Sequence, residues 1–345
     1  SRGLGDVYKR QIKFFLLGVL SASLILYGFS LIYGLTGQLV FADISAYLLA
    51  NSLGSSPVLL LSAILVISGI GFKISVVPFH SWAPDTYEGA PLPITAYLSV
   101  SSKATGFVAL IVLLTKVFES SGQSWGVILA IVAGATMTLG NLVALQQTNP
   151  VRLLAYSSIS QAGFIIAPLA VSGITGNYQD GIFASVTYLI IYAFMNIGAF
   201  LSVHLFTNFT KSDNFYEWGG IAKHSPLAGV LTTVFFFSLA GIPPLGGWFA
   251  KFVVFRSLLS TGEIIGISLA IVGAINAVIA LVYYARISKV IWMDELKNPE
   301  EEKSFEFQSP LKVVGALTVL ITFVAGIFPG IFSYLGEVSS IFFGN

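Results

Sequence analysis

Three lysines stand in apolar sequence, where a permanent charge is costly. They are Lys73 in GFKIS, Lys103 in SSKATG and Lys251 in WFAKF. Burial can lower the pKa of a lysine to about 5 to 6, close to ambient pH, and a nearby charge can raise it again. Such a side chain can take up and release a proton, so the chemistry that these residues predict is proton transfer. The alternative for each lysine is a structural cation that reaches water along its own stem or pairs with a carboxylate.

Further polar residues are candidates for supporting proton transfer, and the small ones among them, Ser102, Ser160 and Gln161, could hold ordered water between the lysines. The full set of candidates is His80, Asp85, Glu88, Ser102, Ser160 and Gln161. For most of them, the alternative is hydrogen bonding between helices. For Asp85 and Glu88, which follow Pro84, the preferred interpretation is a solvated loop or turn, and proton entry is the minority one.

The composition indicates what surrounds these residues. The chain has 345 residues, of which 55% are hydrophobic and 10% charged, and its mean hydropathy is +0.86. Soluble domains carry about 25% charged residues, so this is predicted to be a membrane protein. A net charge of +1 gives no basis for nucleic-acid binding. There is no cysteine and the three histidines are scattered, so we expect no metal or cofactor in this chain.

Hydropathy predicts an all-α bundle of about nine membrane-spanning segments, each near the ~20 residues needed to cross a bilayer. The predicted limits are 13–35, 57–79, 91–117, 124–146, 151–174, 181–206, 226–259, 263–290 and 311–341. The seventh segment contains GIPPLGG, which cannot continue an α-helix. We therefore predict helix breaks at Pro78 and at Gly241, Pro243, Pro244, Gly246 and Gly247.

The lysines and arginines outside these segments predict the orientation. At one end of the predicted segments, the basic residues are mainly Lys116 and Arg256. The other end collects Arg2, Lys9, Arg10, Lys13, Arg152, Lys211, Lys223, Arg286, Lys289, Lys297, Lys303 and Lys312. We therefore expect the basic end and the N-terminus to be cytoplasmic and the C-terminus to lie outside. The polar segment 294–310 is predicted to be a cytoplasmic connection, too short for a core of its own.

The chain opens with a polar stretch, residues 1–12, that begins with serine and has no signal-peptide core. We interpret the chain as a fragment whose first residues need not be native. Residues 13–345 are then expected to form one membrane domain.

Four motifs occur in a characteristic order and spacing. They are VPFHSWAPDTYEGAP at 77–91, SSKATG at 101–106, LLAYSSISQAGF at 153–164 and SLAGIPPLGGWFAKF at 238–252. These motifs resemble subunit N of NADH-quinone oxidoreductase, the respiratory complex I, whose membrane subunits are related to multi-subunit cation/proton antiporters. The resemblance extends over nearly the whole chain after about residue 12.

The resemblance implies a fold of two inverted five-helix repeats, each with a broken helix, and a proton path along the membrane midplane. Lys73 resembles the lysine that pairs with a glutamate of an earlier helix, Lys103 the central relay lysine, and Lys251 the lysine beside the second broken helix. The helix with that glutamate is missing, because the chain begins at the family's sixth helix and the first repeat is incomplete. Gln161 stands where many relatives have histidine, and a glutamine cannot take up a proton at ordinary pH.

The function implied by the resemblance is proton translocation by a non-redox subunit of complex I in the inner (plasma) membrane of the cell. NADH, FMN, iron–sulfur clusters and quinone would be handled by partner subunits in the membrane and in a peripheral redox arm. One alternative is a subunit of a cation/proton antiporter, which would use the same lysines. A second alternative is a structural membrane scaffold, in which the lysines would be dispensable.

Overall fold

The structure is a computed structural model, which describes residues 4–295 and 309–344. All regular elements within these ranges are helices. The α-helices are α1 (Leu4–Thr36), α2 (Phe41–Ala50), α3 (Pro57–Ile74), α4 (Trp82–Gly89), α5 (Leu92–Tyr97), α6 (Lys103–Lys116), α7 (Gly122–Ala144), α8 (Pro150–Thr175), α9 (Tyr178–Thr210), α10 (Ile221–His224), α11 (Pro226–Ala240), α12 (Gly246–Ser260), α13 (Ile264–Met293), α14 (Ser309–Ile327) and α15 (Gly330–Gly344).

The predicted number of membrane crossings agrees with the helices in the described ranges. Eight helical stretches there are long and apolar enough to cross a membrane, and α11 and α12, of 15 residues each, occupy the seventh predicted segment. α1 begins at Leu4, before the predicted start at residue 13. The last predicted segment, 311–341, is interrupted, because α14 ends at Ile327 and α15 begins at Gly330. Pro329 lies in this interruption and has no backbone N–H with which to continue a helix.

Two ends of the bundle can be distinguished by their charges. At the basic end, Arg152 and Lys13 meet Asp85, and the Arg286 side chain donates to the carbonyl of Leu145 at 3.0 Å. At the opposite end, Arg256 lies 3.5 Å from Asp180. Several predicted basic-end groups lie outside the described residues: Arg2, Lys297, Lys303, the side chains of Lys9 and Arg10, and most of the connection 294–310.

The central helix of the bundle is α8, which is almost entirely buried. Small residues allow α7 to approach it closely: a Cβ on Gly163 would lie only 2.8 Å from the carbonyl oxygen of Ala133. The same holds for Gly140, where a Cβ would lie 2.7 Å from the backbone nitrogen of Ser160. The polar side chains of α8 are therefore held inside the protein, away from lipid.

Two helix interruptions shape the interior. α3 ends at Ile74, earlier than the predicted residue 79, because Ser75 adopts the left-handed conformation with φ 60° and the Val76 N–H returns to the Gly71 carbonyl at 3.0 Å. Pro78 lies in the connection to α4. The second interruption separates α11 from α12. It contains Gly241, Pro243 and Pro244, while Gly246 and Gly247 begin α12.

Candidate functional site

Lys103 follows a π-helical turn, Leu98–Ser102, inside the continuous helical stretch Leu92–Lys116. A π-helical turn disturbs the regular hydrogen bonding of an α-helix and often marks a functional position. Here α9 supports the turn from the side, because Asn196 donates to the Ser99 hydroxyl at 2.9 Å and the Tyr192 hydroxyl reaches the Ser99 carbonyl at 3.5 Å. The turn therefore has a defined shape directly before the lysine. Ser102, its last residue, is half-buried.

The Lys103 side chain is 1% exposed and lies near the middle of its membrane-spanning stretch. Its Nζ donates to the hydroxyl of Ser158 at 2.9 Å and to the Ser158 carbonyl at 3.0 Å. Both acceptors belong to α8, and both are neutral. Within residues 4–295 and 309–344, Lys103 makes no ion pair with a carboxylate.

Lys251 lies in the first half of α12 and is 5% exposed. Its Nζ donates to the carbonyls of Ala240 at 2.6 Å and Leu239 at 3.2 Å, in the last turn of α11. A helix end leaves such carbonyls without intrahelical partners and carries partial negative charge, so it attracts a cation. Nζ also lies 5.1 Å from the centre of the Phe164 ring. Gly241, with φ +97°, ends α11, and a Cβ there would lie 2.8 Å from the Lys251 stem.

α8 connects the surroundings of the two buried lysines. Gln161 lies one turn after Ser158, and its Nε2 donates at 3.2 Å to the Leu239 carbonyl, which also accepts from Lys251. The Gln161 oxygen accepts a hydrogen bond from the Tyr188 hydroxyl. Ser157 shares a hydrogen bond with the Tyr284 hydroxyl. Lys103, α8 and Lys251 thus form one buried polar region.

Sequence reasoning missed the tyrosines of this region. Tyr188 and Tyr192 are spaced i, i+4 on α9, and Tyr284 lies on α13. A tyrosine in the middle of an apolar segment is a usable signal, because a buried hydroxyl usually needs a partner. Ser160, which was a candidate, is buried, but none of the hydrogen bonds among the described residues joins its hydroxyl to either lysine.

Lys73 differs from the other two lysines because its side chain is exposed. It lies in the last turn of α3, where a cation interacts favourably with the helix dipole. Its stem passes Gly106, on which a Cβ would lie 3.3 Å from the Lys73 Cγ. The structure therefore brings Lys73 beside α6 but not into the interior with Lys103.

Asp85 and Glu88, expected in a loop, lie on the short helix α4 and belong to an ion cluster. Arg152 Nη1 lies 2.9 Å from Glu88 and 3.0 Å from Asp85, and Lys13 Nζ lies 2.7 Å from Asp85. Burial alone would raise the pKa of Asp85, but the hydrogen bonds and charges of Lys13 and Arg152 outweigh it and lower the pKa. The cluster ties α1, α4 and α8 together at the basic end.

His80 lies beside this cluster in the α3–α4 connection and is half-buried. Burial lowers its pKa, the nearby Lys13 charge adds to this effect, and a hydrogen bond with the Pro78 backbone opposes it. Burial and the Lys13 charge therefore favour the neutral form of the imidazole. None of the hydrogen bonds in the described part of the chain joins His80 to Lys103 or Lys251.

Comparison with known proteins identifies relatives of the same kind as the motifs predict. The family model described as NADH:quinone oxidoreductase/Mrp antiporter, transmembrane, matches residues 8–279. NADH-quinone oxidoreductase subunit N of Desulforamulus reducens is 37% identical over 319 residues, which cover 92% of this chain and 64% of the relative. The chain thus spans a little under two thirds of that relative's length.

Solved structures show the same fold. A chain of respiratory complex I from Thermus thermophilus superposes with a TM-score of 0.76 at 27% identity, over 96% of this chain and 69% of that one. A chain of the Mrp complex from a Dietzia species superposes with a TM-score of 0.81 over 97% of this chain and 67% of that one, and at 20% identity it supports the fold alone. These findings confirm the predicted resemblance and the antiporter-like helical fold: the chain belongs to the NADH:quinone oxidoreductase/Mrp antiporter transmembrane family, and subunit N of NADH-quinone oxidoreductase is among its relatives.

Proposed function

We propose that this chain carries protons through the membrane part of a NADH-quinone oxidoreductase, with Lys103 and Lys251 as the groups that take up and release them. The observation that carries the proposal is the environment of these two side chains. Both are buried at membrane depth, and both donate only to neutral oxygens: the hydroxyl and carbonyl of Ser158, and the carbonyls of Leu239 and Ala240.

Neutral acceptors suit a proton carrier better than a carboxylate does. A buried ion pair holds a lysine in its charged form, and breaking such a pair is strongly unfavourable. A lysine hydrogen-bonded to carbonyl and hydroxyl oxygens can lose one proton and keep a weaker hydrogen bond as an amine. A change of charge nearby can then move it between the two forms.

The remaining parts of the proposal are those that the resemblance implies. The chain would be a non-redox subunit, with NADH, FMN, iron–sulfur clusters and quinone bound by partner subunits of the membrane and peripheral arms. It would lie in the inner (plasma) membrane with its basic end cytoplasmic. Lys73, exposed beside α6, would be the coupling end of the path. The polar side chains of His80, Asp85, Glu88, Ser102, Ser160 and Gln161 would support it.

The alternative, a subunit of a multi-subunit cation/proton antiporter, uses the same fold and the same lysines. Purification of the tagged complete protein with its native partners distinguishes the two. Flavin and iron–sulfur subunits in the preparation support the oxidoreductase, whereas antiporter subunits in their place support the alternative.

The test of the proton path uses the complete protein assembled in its complex. Lys103→Ala and Lys251→Ala should strongly lower NADH-driven proton uptake into inverted membrane vesicles while the amount of assembled complex is retained. Lys103→Arg and Lys251→Arg keep the charge but cannot release a proton at ordinary pH, so they should fail as well. Lys116→Ala, at the end of α6, is the control and should pump normally.

The opposite pattern would show that the lysines are structural cations. In that case the arginine variants assemble and pump at the normal ratio of protons to NADH, and the alanine variants do not assemble.

A further inference from the structure

A groove on the side of the bundle begins at the basic end and extends into the apolar part of the membrane-spanning segments. α5 and α14 both pack against α9, and the groove lies between them with a volume of about 230 Å³. The side chains that line it are apolar, such as Ala96 of α5, Ile197 of α9 and Val314 of α14, with the exception of His204. The groove therefore offers an apolar channel with one polar group.

The side of α9 that faces this groove changes its chemistry along the helix. Ile197 and Leu201 are followed by His204, Asn208 and Lys211, at the spacing of three and four residues that places side chains on one helix face. Ile197 and His204 are about 10 Å apart along the helix axis, at 1.5 Å per residue, which fits within one leaflet of a ~30 Å hydrocarbon core. Towards the basic end, the face thus changes from apolar to basic, in the order in which a phospholipid changes from acyl chain to phosphate.

His204 has a hydrogen-bond donor that the neighbouring side chains do not satisfy. The side chain is half-buried, and Asn208 Nδ2 lies 3.0 Å from its Nε2. An amide nitrogen only donates, so this contact occupies a ring nitrogen that accepts. Within the described ranges, no acceptor is within hydrogen-bond distance of the ring N–H. A phosphate or ester oxygen in the groove would provide one, and a polar group at the edge of lipid is costly without such a partner.

A lysine lies on the other side of the groove. Lys312 is exposed near the start of α14, two residues before Val314, which lines the groove. It takes part in none of the ion pairs formed within residues 4–295 and 309–344. The acidic residues that precede α5 in the chain, Asp85 and Glu88, are paired with Arg152. The open end of the groove therefore presents positive charge.

We propose that this groove binds an anionic phospholipid from the leaflet at the basic end of the bundle. One acyl chain lies along Ala96 and Ile197, and the phosphate lies among His204, Lys211 and Lys312. Basic pockets between membrane-spanning helices suit anionic headgroups in this way. A neutral phospholipid fills the same groove but gains nothing from the two lysines. The site is separate from the two buried lysines and does not depend on the proposed function.

The test uses the complete protein in its complex, placed in phosphatidylcholine vesicles that contain phosphatidylglycerol with a photoreactive group in its acyl chain. After illumination, mass spectrometry of the peptides should locate the cross-linked lipid on α5, α9 and α14. Added unlabelled phosphatidylglycerol should compete with the probe, whereas added phosphatidylcholine should not. High salt should weaken the cross-linking, because it screens the charges at the surface.

Variants then test the two parts of the site separately. Lys312→Gln should lower cross-linking by the phosphatidylglycerol probe by about fivefold, the loss expected for one lysine near an anionic headgroup. Lys289→Gln is the matched control, since Lys289 is exposed at the same end of the bundle but on α13, and it should cross-link normally. Ala96→Phe fills the groove and should abolish cross-linking there. If Ala96→Phe does not assemble, the comparison of the two lysine variants decides.

Two results would overturn the site. Equal cross-linking by a phosphatidylcholine form of the probe, or an equal loss in Lys289→Gln, would show that the groove makes only general contact with lipid. Cross-links on the exposed face of α13 but none on the groove peptides would show that protein covers the groove, from another part of this chain or from a partner subunit.

Discussion

Gly247 provides a sharp test of how the α11–α12 break holds Lys251. It is the second residue of α12, and its N–H donates to the Ser238 hydroxyl at 3.1 Å. A Cβ at this position would lie 1.7 Å from the Ser238 carbonyl oxygen and 2.7 Å from its carbon. Real Cβ atoms essentially never approach closer than 3.0 Å, and the obstacle here is backbone. Gly247→Ala must therefore push the end of α11 away from α12 by more than about 1 Å.

The displaced segment carries the acceptors of Lys251. The hydrogen bonds from Lys251 Nζ to the Ala240 and Leu239 carbonyls, at 2.6 and 3.2 Å, would lengthen by about as much as the end of α11 moves. Overpacking typically costs about 1–3 kcal/mol, and weakening a hydrogen bond to a charged group adds about 1–2 kcal/mol. We expect Gly247→Ala to destabilise the protein by about 3 kcal/mol and to lower proton translocation.

Thermal unfolding of the purified complex in detergent is monitored through the fraction of this subunit that stays assembled. Proton uptake into vesicles is measured in parallel. Gly134→Ala is the matched control, because its nearest neighbour, the Leu269 Cδ2 atom, would lie 3.8 Å from the new Cβ. That change should be neutral or stabilising by up to about 1 kcal/mol, since alanine is the better helix former. Equal thermal stability and normal pumping in Gly247→Ala would refute the close contact between the two half-helices.

Three further predictions test other parts of the structure. Lys103→Met should abolish proton uptake but change the free energy of unfolding by no more than about 1 kcal/mol. The substitution removes a buried charge, and the Ser158 hydroxyl keeps its hydrogen bond to the Ala155 carbonyl. A large loss of thermal stability would contradict this prediction. The pKa of Asp85 is lowered in the folded protein, so its ion pairs stabilise the fold above about pH 4, and this contribution disappears as the pH falls through the folded-state pKa. Asp85→Asn should therefore lower the free energy of unfolding by up to about 1 kcal/mol at pH 7 and by less at acidic pH. An equal loss at both pH values in thermal unfolding would refute this prediction. The sequence contains no cysteine, so Lys223→Cys should react with a membrane-impermeant thiol reagent only from the cytoplasm and Glu263→Cys only from outside; reversed labelling would overturn the orientation.

The sequence alone was sufficient for the features that depend on local chemistry. Hydropathy sufficed for the membrane class and for the limits of most crossings, because an apolar run of ~20 residues has few other uses. Prolines and glycines between Gly241 and Gly247 were enough to predict the broken helix, since the backbone geometry of these residues acts locally. The motifs around Lys103 and Lys251 were enough to predict the family.

Tertiary structure decided what each polar residue touches. Lys73 and Lys103 both stand in apolar sequence, but packing buries Lys103 against α8 and leaves Lys73 exposed beside α6. The sequence predicts Asp85 to lie in a solvated loop, whereas the fold places Arg152, which is distant in the sequence, beside it. The hydroxyl of Tyr284 meets Ser157 only because α13 packs beside α8. Hydropathy depends on the residues of one segment, whereas burial and hydrogen-bond partners depend on which faces of separate helices meet, and that is decided only when the whole bundle packs.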